Sequence, residues 1–113
     1  MSTIALAAPK QDTFPRDDVI KALVAELLQV LSGEAQVRGI QLPDDLPGRM
    51  IASVPMDSLS VVATLVAVEA VVGFELKERL VRTGGYNSVQ AAVDHVVPRI
   101  LAAWEKKKMG KKA

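Results

Sequence analysis

The stretch from Ser58 to Val72 constrains the fold most, because Glu69 is its only charged residue. Valine is frequent in it, and β-propensity alone favours a strand. Strands usually run about 4–8 residues, and this stretch is about twice as long. Asp57 before it is a favourable helix N-cap, and Gly73 after it is a favourable stop. The pattern therefore predicts a helix over 58–72.

Apolar residues at helical spacing predict another helix that begins near Pro15. Proline is tolerated in a first helical turn, and Asp17 and Asp18 lie where the helix dipole favours negative charge. Ser32-Gly33 is the predicted end of this helix. Its apolar stripe consists of Ile20, Leu23, Val24, Leu27, Leu28 and Leu31.

A long connection is predicted over residues 34–56, because proline and glycine interrupt every periodic pattern there. A bare loop of that length is uncommon in a compact domain, so we expect its apolar residues to be held against the core. These residues are Ile40, Leu42, Leu46, Met50 and Ile51.

The C-terminal third predicts one or two short helical turns over 75–82, a break at Gly84-Gly85 and a long last helix. Asn87 and Gln90 have the spacing of a capping box, with Asn87 as the cap. Pro98 is expected to kink this helix. The apolar face of the helix is predicted to hold Val89, Ala92, Val93, Val96, Ile100, Leu101 and Trp104.

Length and charge set further bounds. A chain of 113 residues suits one domain, which we expect over 13–105, between a flexible arm at 1–12 and a basic tail at 106–113. The chain has 14 basic and 13 acidic residues; five lysines lie at 106–112, so the remainder carries 9 and 13. A mildly acidic body argues against nucleic-acid binding.

Several function classes are excluded by what the chain lacks. It has no cysteine, which rules out a disulfide scaffold, a thiolate zinc site and a cysteine nucleophile. The single histidine, His95, makes a metal site a poor interpretation. No apolar run reaches the roughly 20 residues of a transmembrane helix, and the N-terminus is a poor signal peptide. We expect a cytoplasmic, monomeric protein that is not an enzyme.

Residues 56–76 and 87–96 carry a resemblance to a known family. Met56-Asp57-Ser58-Leu59 resembles the Asp-Ser-Leu signature of acyl carrier proteins, which begins their second helix. Glu69 stands where that family usually has an acid, and Val72 and Leu76 stand where it has apolar residues. The block Ser88–Asp94 resembles the opening of the family's last helix. In architecture the resemblance covers roughly residues 16–104.

The resemblance implies an all-α, acyl-carrier-like bundle of four helices, three long and one short, with a long loop between helices 1 and 2. It implies that Ser58 carries a covalent 4'-phosphopantetheine arm, with Asp57 as the supporting residue. Acyl intermediates of fatty acid, polyketide or specialised lipid biosynthesis would ride on that arm as thioesters. The implied partners are a phosphopantetheinyl transferase and enzymes that load and transfer the acyl cargo. No residue pair in the chain could activate the Ser58 hydroxyl itself.

The chain departs from the family pattern in two ways. Pro55 stands where the family usually has glycine, and the second helix lacks the family's usual acids except for Glu69. An exposed apolar face on this helix would be a binding surface. The predicted partner-recognition residues, which we expect to act by shape and hydrophobicity, are Leu59, Val62, Ala63, Val66 and Glu69.

A second function class stays open. The same fold would suit an unmodified carrier-like module that binds partner helices through the apolar face of 58–72. Ser58 would then be only a first-turn residue, since serine and aspartate favour helix starts for local reasons. The Val/Ala stripe at 61–72 is likewise open between plain core and an acyl pocket.

Overall fold

The computed structural model describes residues 13–110, so the predicted arm at 1–12 and the last three residues of the tail lie outside it. The described chain is helical, with α1 at Arg16–Arg38, α2 at Leu46–Ile51, α3 at Ser58–Val72 and α4 at Val89–Gly110. A 3₁₀ turn covers Glu78–Leu80. The predicted all-α class is confirmed, and four helices are compatible with a small helical bundle. The short helix does not lie where it was predicted: it is α2, inside the predicted loop, and residues 75–82 hold only the 3₁₀ turn. The arrangement specific to acyl carriers stays a prediction.

The helix α1 runs past its predicted end. It continues through Ser32-Gly33 to Arg38 and stops at Gly39, whose φ of 72° is left-handed. Ala35 is buried in this extra turn, which explains why packing overrides the weak helix propensity of glycine. Glu34 and Arg38 add an i,i+4 ion pair at 3.3 Å. The prediction that α1 ends at Ser32-Gly33 was therefore wrong.

The predicted connection over 34–56 is shorter than expected and contains α2. Asp45 caps this helix by accepting the Gly48 N–H at 2.8 Å, and Pro47 fits its first turn. Only part of the apolar set lies on the core: Leu42 and Met50 pack against it. Ile40, Leu46 and Ile51 are exposed, so the expectation of burial was wrong for these three.

The helix α3 has the predicted bounds, with Asp57 as its N-cap and Gly73 as its left-handed C-cap at φ 88°. Val61, Leu65, Val68 and Val72 form its buried face, which packs against α1. α4 packs on α1 as well, so α1 contributes to the core along both neighbours. The core is aliphatic apart from Phe74, Tyr86 and Trp104.

Between α3 and α4 the chain makes the single 3₁₀ turn and then turns at Gly84-Gly85, as the sequence indicates. α4 runs through Pro98 and extends beyond the predicted domain boundary at 105. The capping box was misplaced by one residue. Ser88, not Asn87, caps α4: its Oγ accepts the Ala91 N–H at 3.0 Å. Gln90 bonds forward to Asp94 and does not reach back.

Candidate functional site

The start of α3 presents Ser58 as the first helical residue. Its side chain is half-buried, and no hydrogen-bond partner for the hydroxyl is found within residues 13–110. The neighbouring Asp57 takes the capping role, because its Oδ1 accepts the Ser60 N–H at 2.8 Å. The Ser58 hydroxyl therefore does not make the capping hydrogen bond at the start of α3.

The electrostatics of this helix start favour an anion. Hydrogen bonds from the Ser60 N–H, and then from its side chain, lower the pKa of the Asp57 carboxyl below its usual value of 3.8. Asp57 is fully exposed, so water screens this effect. The positive end of the α3 dipole stabilises the same carboxylate, so the negative charge at this helix start is that of Asp57.

Backbone pairing fixes where this helix start lies. Met56 and Tyr86 form an antiparallel bridge, with N–H···O distances of 2.8 and 2.9 Å in the two directions. The Val54 N–H donates to the Asn87 carbonyl at 2.9 Å. The segment that enters α3 is thus joined to the segment that enters α4. Ser58 sits two residues beyond a paired and buried Met56.

Gly85 allows this pairing. Its φ is 82°, and a Cβ added there would lie 2.0 Å from the Met56 carbonyl oxygen and 2.8 Å from Asp57 Cα. Real Cβ atoms do not approach so closely, and only glycine adopts this φ without strain. The backbone of Gly85 therefore serves as the support on which the Met56-Asp57 peptide rests.

The predicted recognition face of α3 is partly exposed. Leu59 is 79% exposed and Val66 68%, and Ala63 between them is also exposed. These positions, spaced by three or four residues, share one side of the helix. The structure therefore leaves an uncharged apolar strip open along α3, beginning next to Ser58.

Val62 and Glu69, the other two predicted recognition residues, are half-buried. The Glu69 Oε2 accepts the Leu76 N–H at 2.8 Å. Its carboxylate thus secures the chain that leaves α3, which is a structural function beside any role in recognition.

An open cleft of about 440 Å³ lies beside α3. Val62 lines it from the helix, and the segment from Glu75 to Arg79 forms the opposite side. Val62 follows Ser58 by one helical turn, about 6 Å along the axis. The cleft is lined by apolar Val62 and Leu76 together with the charged Glu75, Lys77, Glu78 and Arg79.

The sequence singled out Asp57 and Ser58 as candidates but did not indicate that Gly85 lies against Met56 and Asp57. Gly84-Gly85 was interpreted only as a break, and Tyr86 was not singled out. His95 is half-buried, and its Nδ1 lies 2.6 Å from the Tyr86 hydroxyl oxygen. The pair of glycines was the one available signal of a close approach.

The chain matches no protein-family model, no curated protein and no solved structure. The acyl-carrier resemblance therefore rests on the residues quoted above. Among the helices described, none is long and apolar enough to cross a membrane.

Proposed function

We propose that this chain is an acyl carrier protein that receives a 4'-phosphopantetheine arm on the Ser58 oxygen. The single observation that carries the proposal is the state of that hydroxyl. It stands at the first position of a capped helix, and the cap is supplied by Asp57 rather than by the serine. A transferase needs such a hydroxyl at a fixed place on a rigid body.

The chain acts in this proposal as substrate and shuttle. A transferase would bond the Ser58 oxygen, as it loses its proton, to the pantetheine phosphorus of coenzyme A; the pyrophosphate P–O bond would break and adenosine 3',5'-bisphosphate would leave. The distal thiol of the arm would then hold the acyl group. The chain has no cysteine, so that thiol would be its only one. Asp57, exposed and ionised, is available to the transferase beside the reacting oxygen.

Partner enzymes would bind the apolar strip of α3, which is formed by Leu59, Ala63 and Val66. Leu59 and Val66 are large exposed side chains on a helix face without charge, which is the composition of a binding surface. Recognition by hydrophobic contact predicts that docking to the transferase survives a rise in ionic strength. A collapse of docking at about 0.5 M salt would point instead to charge recognition.

The acyl cargo has a candidate shelter in the cleft beside Val62. Its position one turn from Ser58 suits an arm attached there, and Val62 and Leu76 supply the apolar part of a lining that is otherwise charged. Chemical-shift changes at Val62 and Leu76 on acylation would support this use. Their absence in an acylated sample would remove it.

The decisive experiment is intact mass after incubation with coenzyme A, Mg²⁺ and a broad-specificity phosphopantetheinyl transferase. We expect the mass of one phosphopantetheine to be added to the wild type and to Ser53→Ala, a matched control at an exposed serine before α3. Ser58→Ala should gain nothing. Addition to Ser58→Ala, or no addition to the folded wild type, contradicts the proposal.

A second candidate is an unmodified helical interaction module, favoured by the exposure of Leu59 and Val66. It predicts the same fold and the same apolar strip but leaves Ser58 without an arm. The mass experiment separates the two, because only the carrier changes mass at that oxygen.

A further inference from the structure

Tyr86, the residue after Gly85, belongs to a hydrogen-bond network that also includes Arg82 and His95. The Tyr86 hydroxyl oxygen lies 2.8 Å from the Arg82 backbone nitrogen and 2.6 Å from His95 Nδ1. Tyr86 is 2% exposed. The Arg82 guanidinium covers the tyrosine ring at 4.6 Å and donates from Nε to the Gly85 carbonyl at 3.1 Å.

The proton positions in this network follow from its donors. A backbone N–H can only donate, so the Tyr86 oxygen accepts from Arg82. We assign the hydroxyl hydrogen to His95 Nδ1, the other polar atom within hydrogen-bond distance of the Tyr86 oxygen, so Nδ1 offers the lone pair. His95 is therefore neutral in this arrangement, with its proton on Nε2.

Protonation of His95 would break this pattern. Both ring nitrogens would become donors, and the Tyr86 hydroxyl would have to turn its own hydrogen away into a buried region. The charged groups around the ring oppose protonation as well. Burial first, then Arg99 on α4 and Arg82 on the facing loop, lowers the pKa of His95 below 6.5. The neighbouring acid, Asp94, is engaged with Gln90 at 2.9 Å.

The backbone of Tyr86 links this hydrogen-bond network to the segment that carries Ser58. Tyr86 is the residue that pairs with Met56 in both directions, and Gly85 lies against Met56 and Asp57. The side chain that meets His95 and the backbone that pairs with Met56 thus belong to one residue.

We propose that Tyr86 and His95 are positioning residues for the Ser58 site, and that protonation of His95 weakens the hold of residues 82–87 on the start of α3. This inference rests on the proposed function for its consequence, which is slower modification of Ser58 in acid. The coupling itself concerns only the residues of this chain.

The matched control is His95→Asn, since the asparagine oxygen lies where Nδ1 does and accepts the Tyr86 hydroxyl without titrating. We measure the rate of phosphopantetheine transfer to the wild type and to this variant from about pH 8 to about pH 5.5. Their ratio cancels the pH dependence of the transferase. His95 is the only histidine in the chain, so a change in the ratio reports on it.

We expect a ratio near one at the upper end and a fall of about fivefold at the lower end, the size of one net hydrogen bond. Tyr86→Phe should be slow relative to His95→Asn at every pH. A flat ratio of wild type to His95→Asn over the pH range in which NMR shows the His95 ring to titrate overturns the proposal, whether or not Tyr86→Phe folds.

An NMR titration of the unmodified chain makes the coupling testable even if no arm is ever added. The amide signals of Met56, Gly85 and Ser58 should move with the midpoint of the His95 ring in the wild type and stay still in His95→Asn. If these amide signals do not shift as the His95 ring titrates, the proposed coupling is wrong. Failure of transfer to the wild type at every pH instead contradicts the proposed function.

Discussion

The helices α3 and α4 begin with similar sequences, Asp57–Ser60 and Asn87–Gln90, yet use their serines differently. At the start of α4 the serine is the cap, because the Ser88 Oγ accepts the Ala91 N–H at 3.0 Å. At the start of α3 the cap is the residue before the serine. Ser58 is therefore the first helical residue, and its hydroxyl has no partner within residues 13–110.

A shift of one position thus decides whether the serine hydroxyl makes the capping hydrogen bond or leaves it to the preceding residue. Capping consumes one acceptor per helix start, and either a carboxylate or a hydroxyl can supply it. Where Asp57 supplies it, Ser58 is spared.

The two starts also differ in how they are placed. Backbone pairing joins them through Met56 and Tyr86, but only the segment entering α3 rests against a glycine without a Cβ. The start of α4 is secured by side-chain burial, since Val89 is fully buried. The first turn of α3 is anchored by burial too, through Val61, so the close approach of Gly85 is what distinguishes the two starts.

Gly85→Ala should break the comparison most strongly. Its Cβ would clash with the Met56 carbonyl and its φ is left-handed, so we expect a loss of at least about 3 kcal/mol in the free energy of unfolding. Gly84→Ala is the matched control: φ is 93° there, but nothing lies within 4 Å of the added Cβ. It should lose only the conformational cost of about 1–2 kcal/mol. If the two variants lose the same free energy of unfolding in urea, the contact between residue 85 and the Met56 carbonyl does not contribute to the effect.

Ser88→Ala and Ser58→Ala should sharpen the contrast between the two serines. Loss of the cap at Ser88 should cost about 1 kcal/mol in the free energy of unfolding. Ser58→Ala removes no hydrogen bond in the unmodified chain and should change it by less than about 0.5 kcal/mol. Chemical denaturation of the two variants side by side checks this order. A larger loss at Ser58 would mean that its hydroxyl is engaged after all.

Asp57→Asn should give the smallest effect, visible mainly in acid. Asparagine caps a helix about as well as aspartate, so stability near neutral pH should barely change. The pKa of Asp57 is lowered in the folded state, so its stabilising contribution is present above 3.8 and lost as the pH falls through the folded value. The variant should lack that loss. Urea midpoints at about pH 7 and about pH 2.5 compare the two chains; parallel falls would contradict the assignment.

Local signals predicted the elements where they were strong and unopposed. The bounds of α3 followed from one cap, one stop and a stretch without interruption. α1 was predicted too short because Gly33 resembles a stop, and only the burial of Ala35 shows why the helix continues. α2 was missed because two prolines and a glycine obscure a six-residue helix that Asp45 caps.

The sequence by itself determined the helical class, the bounds of α3 and the cap at Asp57, since capping and periodicity act between residues close along the chain. Only the tertiary structure decided that Gly85 lies under Met56 and that Tyr86 meets His95. Those contacts join residues separated by loops, and their geometry depends on how α3 and α4 pack on α1. No local pattern contains that information.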